Sequence, residues 1–177
     1  MKKIINTVFV LTAFVLFSCG GETAKKEEAN TTPEKKIGVL LVNHGSVAES
    51  WRKMLLDVET QVKEEILSNP KISKVTTAFM EYTEPSIATR MKEFDAEGYD
   101  EVIVIPIFLT VSSHYSHDIP VILGVSADPK SEDYMIGKEK IEVYKANARV
   151  TIAPPLDYST ILKKNVERRV KALSKDA

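Results

Sequence analysis

The sequence predicts an α/β domain with a mostly parallel four-stranded sheet and helices on both faces. Three observations carry that prediction. Four short apolar runs alternate with stretches of helical periodicity, the order expected of parallel strands joined through helices. The run Val102–Ile105 is apolar without alternation and rich in β-branched residues, which suits a strand covered on both faces. Three of the runs end in polar turns carrying His44, Glu81 and His114, and open α/β sheets bind ligands outside the carboxyl ends of their strands.

Residues 1–19 read as a leader rather than as part of the fold. Lys2 and Lys3 precede an apolar stretch, Ile4 to Phe17, of signal-peptide length. It is shorter than the roughly 20 residues of a membrane span. Leu16-Phe17-Ser18-Cys19-Gly20 resembles a bacterial lipobox, after which Cys19 becomes the lipidated first residue; a plain secretory signal is the simpler alternative. Cys19 is the only cysteine, which fits lipidation better than a disulfide framework and leaves no thiol nucleophile in the domain. The expected location is the bacterial envelope, with a lipid anchor at the outer membrane or periplasmic face. Residues 20–36 are small, charged and free of large apolar side chains, the composition of a flexible tether. Residues 37–177 remain for a single domain.

Charge excludes one class of partner. The 177 residues carry 24 Lys and Arg against 25 Asp and Glu; without Lys2 and Lys3 the balance is 22 to 25, or −3. No basic nucleic-acid surface is expected.

Within the domain, Ile37–Val42 reads as the first strand, ending in Asn43-His44-Gly45-Ser46. Ser46 and Glu49 have capping-box spacing, and Trp51, Leu55, Val58, Val62 and Ile66 follow at helical intervals. The turn directs backbone N–H groups outward, and Gly45 lets a ligand approach the chain. A histidine in such a turn is otherwise a structural residue. Lys74–Met80 predicts the second strand; after it, Pro85 suits a first helical turn and Ile87, Met91 and Phe94 form an apolar stripe ending at Gly98. Glu81 occupies the strand-end position of His44, while Glu84 reads as a helix-start carboxylate.

The third strand ends near Pro106, which cannot donate to a ladder. A turn from Thr110 to His117 follows, with Asp118 as a helix N-cap and Pro120 in the first turn. His114 and His117 are close enough in sequence to face one cavity. Residues 124–148 are polar and irregular, either a lid or solvated decoration at an edge. Arg149–Ala153 predicts the fourth strand. The last helix sets Leu162, Val166, Val170 and Leu173 on one face and Lys and Arg on the other.

Parallel strand ends bring His44, Glu81 and His114 together as two imidazoles and a carboxylate, a fitting set for a divalent transition metal and better suited to Co, Ni, Fe or Zn than to Mg or Ca. GxGxxG, P-loop and nucleophile-elbow motifs are absent. A serine nucleophile at Ser46 or Ser113 beside a histidine is the minor alternative.

The ordered series His44-Gly45-Ser46, Ala78-Phe79-Met80-Glu81-Tyr82-Thr83-Glu84-Pro85-Ser86-Ile87, Val104–Leu109, His114, Asp118-Ile119-Pro120 and Ala153-Pro154-Pro155-Leu156 resembles the sirohydrochlorin chelatase family. The resemblance runs from Ile37 to the end. It implies a small class II chelatase domain that inserts cobalt, or in relatives iron or nickel, into sirohydrochlorin on the way to cobalamin or siroheme. It implies metal binding by His44 and His114, with Glu81 in the cavity and Gly45, Ser46 and Ser113 beside the ligand. A symmetric homodimer is implied as well. Val47 stands where many members have an arginine, and His117 is additional, either a third imidazole ligand or a surface residue. An exported, lipid-anchored chain is unusual for such an enzyme. A non-catalytic lipoprotein that passes a metal or tetrapyrrole to a transport system is therefore the alternative.

Overall fold

The computed structural model describes residues 34–156 and 160–174, all within the unit spanning residues 33–177. The predicted leader, Cys19 and the tether up to residue 33 lie outside the described residues. Lys36, assigned by composition to the tether, is fastened to the domain: its N–H donates to the Asp100 carboxylate at 2.7 Å, and its carbonyl accepts from Asp100 N at 2.9 Å.

Among the described residues four strands form one sheet: β1 (Ile37–Asn43), β2 (Ile72–Phe79), β3 (Glu101–Pro106) and β4 (Arg149–Ile152). Their order is β2-β1-β3-β4 and every pairing is parallel. The β1–β3 register ends at Val42 opposite Pro106, as the missing proline N–H requires. The chain steps from β1 outward to β2 and then back across to β3. The strand order thus reverses beside β1, and the crevice at such a reversal is where these sheets bind ligands.

Alternation along the strands sorts side chains to two faces. On one face Leu40, Val42, Val102 and Val104 pack under α2 (Ile87–Ala96), α3 (Ile119–Ile122) and the segment that follows. On the other, Val39, Leu41 and Val75 meet α1 (Glu49–Leu67) through Val62, Ile66 and Leu67. Gly38 in β1 is required by packing: a Cβ there would lie 2.3 Å from the Phe94 ring, which is fully buried and edge-on to Tyr99.

Several local expectations give way to tertiary contacts. The capping box is not formed: α1 starts after Ala48, and the Ser46 hydroxyl accepts from Ala48 N at 3.0 Å. Pro85 precedes α2 rather than entering it, because Ser86 is the N-cap and accepts from Thr89 N. Residues 124–148 are not simple decoration. They contain α4 (Pro129–Tyr134) and a π-helical turn (Met135–Glu139), and bury Met135, Ile141 and Ala148 in the core. Asp95 of α2 fixes their return, accepting from the Tyr144 hydroxyl at 2.9 Å and from Asn147 N at 3.0 Å. In α5 (Ile161–Leu173) the apolar stripe is largely exposed, with Val166, Val170 and Leu173 all facing outward. Among the described residues no helix is long and apolar enough to cross a membrane.

Candidate metal centre

The site sits at the carboxyl ends of the three adjacent strands β2, β1 and β3. His44 directly follows β1. Glu81 lies two residues past β2, and the ladder continues through that interval: Met80 N donates to Asn43 O at 2.8 Å and Glu81 N to His44 O at 2.9 Å. Gly45 makes this approach possible. Its φ is +98°, and a Cβ would lie 2.0 Å from the Glu81 carbonyl oxygen, so any other residue would push the two turns apart.

His114 reaches the same place by a different route. It opens a π-helical turn, His114–Asp118, which runs directly into α3. Single π turns within helices recur at functional sites. One ligand atom each from His44, Glu81 and His114 lie within 4.8 Å of one another, and all three residues are half-buried. The two imidazoles meet edge-on with centroids 5.0 Å apart. This is a sterically open three-donor set with nitrogen and oxygen ligands, the composition suited to a divalent transition ion that must also be released.

Hydrogen bonds orient both rings. His114 Nδ1 lies 2.7 Å from Asp118 Oδ2. The carboxylate accepts, so Nδ1 carries the proton and Nε2 presents its lone pair. His44 Nδ1 donates to the Gly45 carbonyl at 3.4 Å, a weaker constraint of the same sense. Asp118 is thus not a helix N-cap, since it lies inside a continuous helical run with its carboxylate turned to the histidines. Sequence reasoning missed this partner, although the i,i+4 spacing of His114 and Asp118 was the available signal.

His117 lines the same cavity as His114, as their sequence spacing suggested, but it is held by other partners. Its Nε2 meets Asp128 Oδ2 at 3.1 Å and Ser131 Oγ at 3.2 Å, while Nδ1 meets Asp118 Oδ1 at 3.3 Å. With both nitrogens engaged by carboxylates it lies outside the His44–Glu81–His114 cluster and joins the His114 turn to α4. The bonds to Asp128 and then Asp118 hold its pKa above the ordinary 6.5. Asp128 is lowered by Ser131 and by the same histidine.

A cavity of about 470 Å³ opens over the cluster, walled by His44, Glu81 and His114 from the body and by Lys130, Tyr134 and Met135 from the 124–148 segment. Gly45, Ser46 and Ser113 do not line it. Gly45 contributes close packing, and Ser46 belongs to the turn before α1, where Arg52 donates to the Ser46 and Val47 carbonyls. Val47 itself is 81% exposed.

Known proteins share this architecture. Sirohydrochlorin cobaltochelatase of Saccharolobus solfataricus is 31% identical over 134 residues, covering 76% of this chain and 93% of the relative. The protein of the same name from Methanothermobacter thermautotrophicus is 28% identical, covering 82% and 98%. Among solved structures, a putative cobalamin biosynthesis CbiX protein from Marinobacter aquaeolei VT8 superposes with a TM-score of 0.53 at 19% identity, over 80% of this chain and 99% of that one. SirB from Bacillus subtilis with Fe3+ gives 0.54 at 20% identity, over 78% of this chain and 47% of that longer one. These structural likenesses concern the fold. The CbiX family itself matches residues 38–173, nearly the whole described domain, and the chain belongs to that family of class II chelatases.

Proposed function

We propose that this protein is a chelatase that inserts a divalent metal into sirohydrochlorin or a closely similar tetrapyrrole, with cobalt the first candidate and iron or nickel the alternatives. One observation carries the reading: three strand ends converge a carboxylate and two imidazoles within 4.8 Å in the wall of an open cavity. Relatives named sirohydrochlorin cobaltochelatase support the reaction class.

In this reading the metal is substrate. His44 Nε2, His114 Nε2 and Glu81 hold the incoming ion. Insertion of a divalent cation displaces two pyrrole protons, so the overall charge balances. As the ion passes to the macrocycle, the freed imidazoles accept those protons on the lone pairs that held the metal. Asp118 stabilises the cation that forms on His114 through the bond at Nδ1.

Two further parts belong to the proposal. The leader and Cys19 attach the domain by lipid to the bacterial envelope, with residues 20–36 as its tether. The chain pairs with a second copy, a reading supported by the exposed apolar stripe Val166, Val170 and Leu173 of α5.

The test mixes the full-length chain in mild detergent with sirohydrochlorin and Co²⁺ without oxygen, following visible absorbance against a His44→Ala/His114→Ala control and a protein-free blank. Insertion faster than both is the expected result. The exposed Val47, where many members have an arginine, favours a second reading as a carrier lipoprotein. That reading requires a spectral shift saturating at one equivalent with no turnover.

A further inference from the structure

Beside the metal cluster the backbone does something unusual. Tyr82 has a φ of +68°, and Thr83 N donates to Glu81 O at 2.9 Å across it. An i→i+2 bond around a residue with positive φ is the rare, strained form of the γ-turn. A bulky residue there is a true outlier, and strain of this kind persists where the surroundings over-determine it, often at ligand sites.

Burial does not repay that strain. Tyr82 is 65% exposed, its hydroxyl bonds to the Glu81 carboxylate, and its ring centroid lies 5.8 Å from that of His44. It stands between two cavities, the one over the metal cluster and a second of about 570 Å³ walled by Met80, Thr83, Glu84 and Ile141 among others. Both cavities include Glu81, Tyr82 and Glu139. An exposed aromatic face is thus held at the junction of a groove much wider than a metal ion needs. Flat aromatic surfaces gain from offset stacking on such a ring.

We propose that Tyr82 is a stacking platform for the face of the macrocycle, a positioning residue that sets the tetrapyrrole over the ion held by His44, Glu81 and His114. This rests on the chelatase reading above and adds a specific contact to it. It also predicts opposite effects on stability and binding. Removing the side chain relieves the backbone while removing the platform.

The experiment compares full-length wild type with Tyr82→Gly and Tyr82→Phe in three measurements: thermal midpoint, affinity for Co²⁺ alone, and sirohydrochlorin binding by fluorescence quenching together with the KM for insertion. Tyr82→Gly should raise the thermal midpoint, leave Co²⁺ affinity within about twofold, and weaken macrocycle binding and raise KM by about five- to tenfold. Tyr82→Phe should keep macrocycle binding within about twofold of wild type, because the ring face is retained. Unchanged binding in Tyr82→Gly overturns the inference while leaving the chelatase reading intact. So does a loss in Tyr82→Phe equal to that in Tyr82→Gly, which would assign the effect to the hydroxyl. An equal fall in Co²⁺ affinity would mean that Tyr82 acts through the metal ligands and also overturns it. A wild type that neither binds nor metallates the macrocycle overturns the chelatase reading itself.

Discussion

The two faces of the sheet are built differently. Under α2 and α3, Leu40, Val42, Val102 and Val104 are sealed, and Phe94 fills the space that Gly38 leaves open. Under α1, Val39 and Leu41 are buried, but Ile103, Ile105 and Ile107 are only partly covered and α1 itself buries no residue completely. Asn43 and Thr77, whose strand positions share the parity of Leu41, are buried with side-chain polar atoms that lack protein partners. The sealed face carries α3 and the 124–148 segment, and so supports His114 and the cavity wall. Rigidity is concentrated where donors must be held at fixed separation.

The largest test of this contrast is truncation on each face. Leu40→Ala should lose about 2–5 kcal/mol in chemical denaturation, and Ile105→Ala on the half-covered face less than about half of that. Equal losses would break the comparison. Gly38→Ala should follow at about 1–3 kcal/mol, since its methyl must displace the Phe94 ring; an unchanged denaturation midpoint would mean that the sealed face has slack.

A smaller effect sharpens the role of the cavity segment. His117 ties the His114 turn to α4, and its pKa is raised above 6.5. A raised pKa means that the stabilisation is fully present below the unfolded-state value and lost as pH rises through the folded value. The difference in thermal midpoint between wild type and His117→Gln should therefore be greatest in mildly acidic solution and close as pH rises above neutrality. Asp128 is lowered, so it remains charged across that window. A gap that widens with pH would reverse the assignment. Smallest of all, Val166→Asp should change monomer unfolding by within about 0.5 kcal/mol. Its expected signature lies in sedimentation, as loss of the proposed dimer.

Much of the site was legible before the fold. Polar turns after apolar runs marked His44, Glu81 and His114, because a strand's burial pattern is local and its end is visible as a change of composition. Less legible were the residues that act through shape. Asp118 reads as an N-cap from its neighbours, yet the helical run begins earlier and frees its carboxylate for His114. His117 reads as a possible third ligand from its spacing, but Asp128 and Ser131, more than ten residues further on, draw its Nε2 away. The polar 124–148 segment shows only faint alternation, although Met135 and Ile141 anchor it in the core.

The sequence by itself determined the α/β class, the parallel strands, and which three donors stand at strand ends, since those follow from periodicity and from turn chemistry within a few residues. Only the tertiary structure decided that β1 lies between β2 and β3, that Gly45 lets Glu81 close on His44, and that Tyr82 is held at positive φ over the cavity. Those outcomes depend on contacts between segments distant in sequence. Their energies come from packing and from paired polar groups, which local composition does not encode.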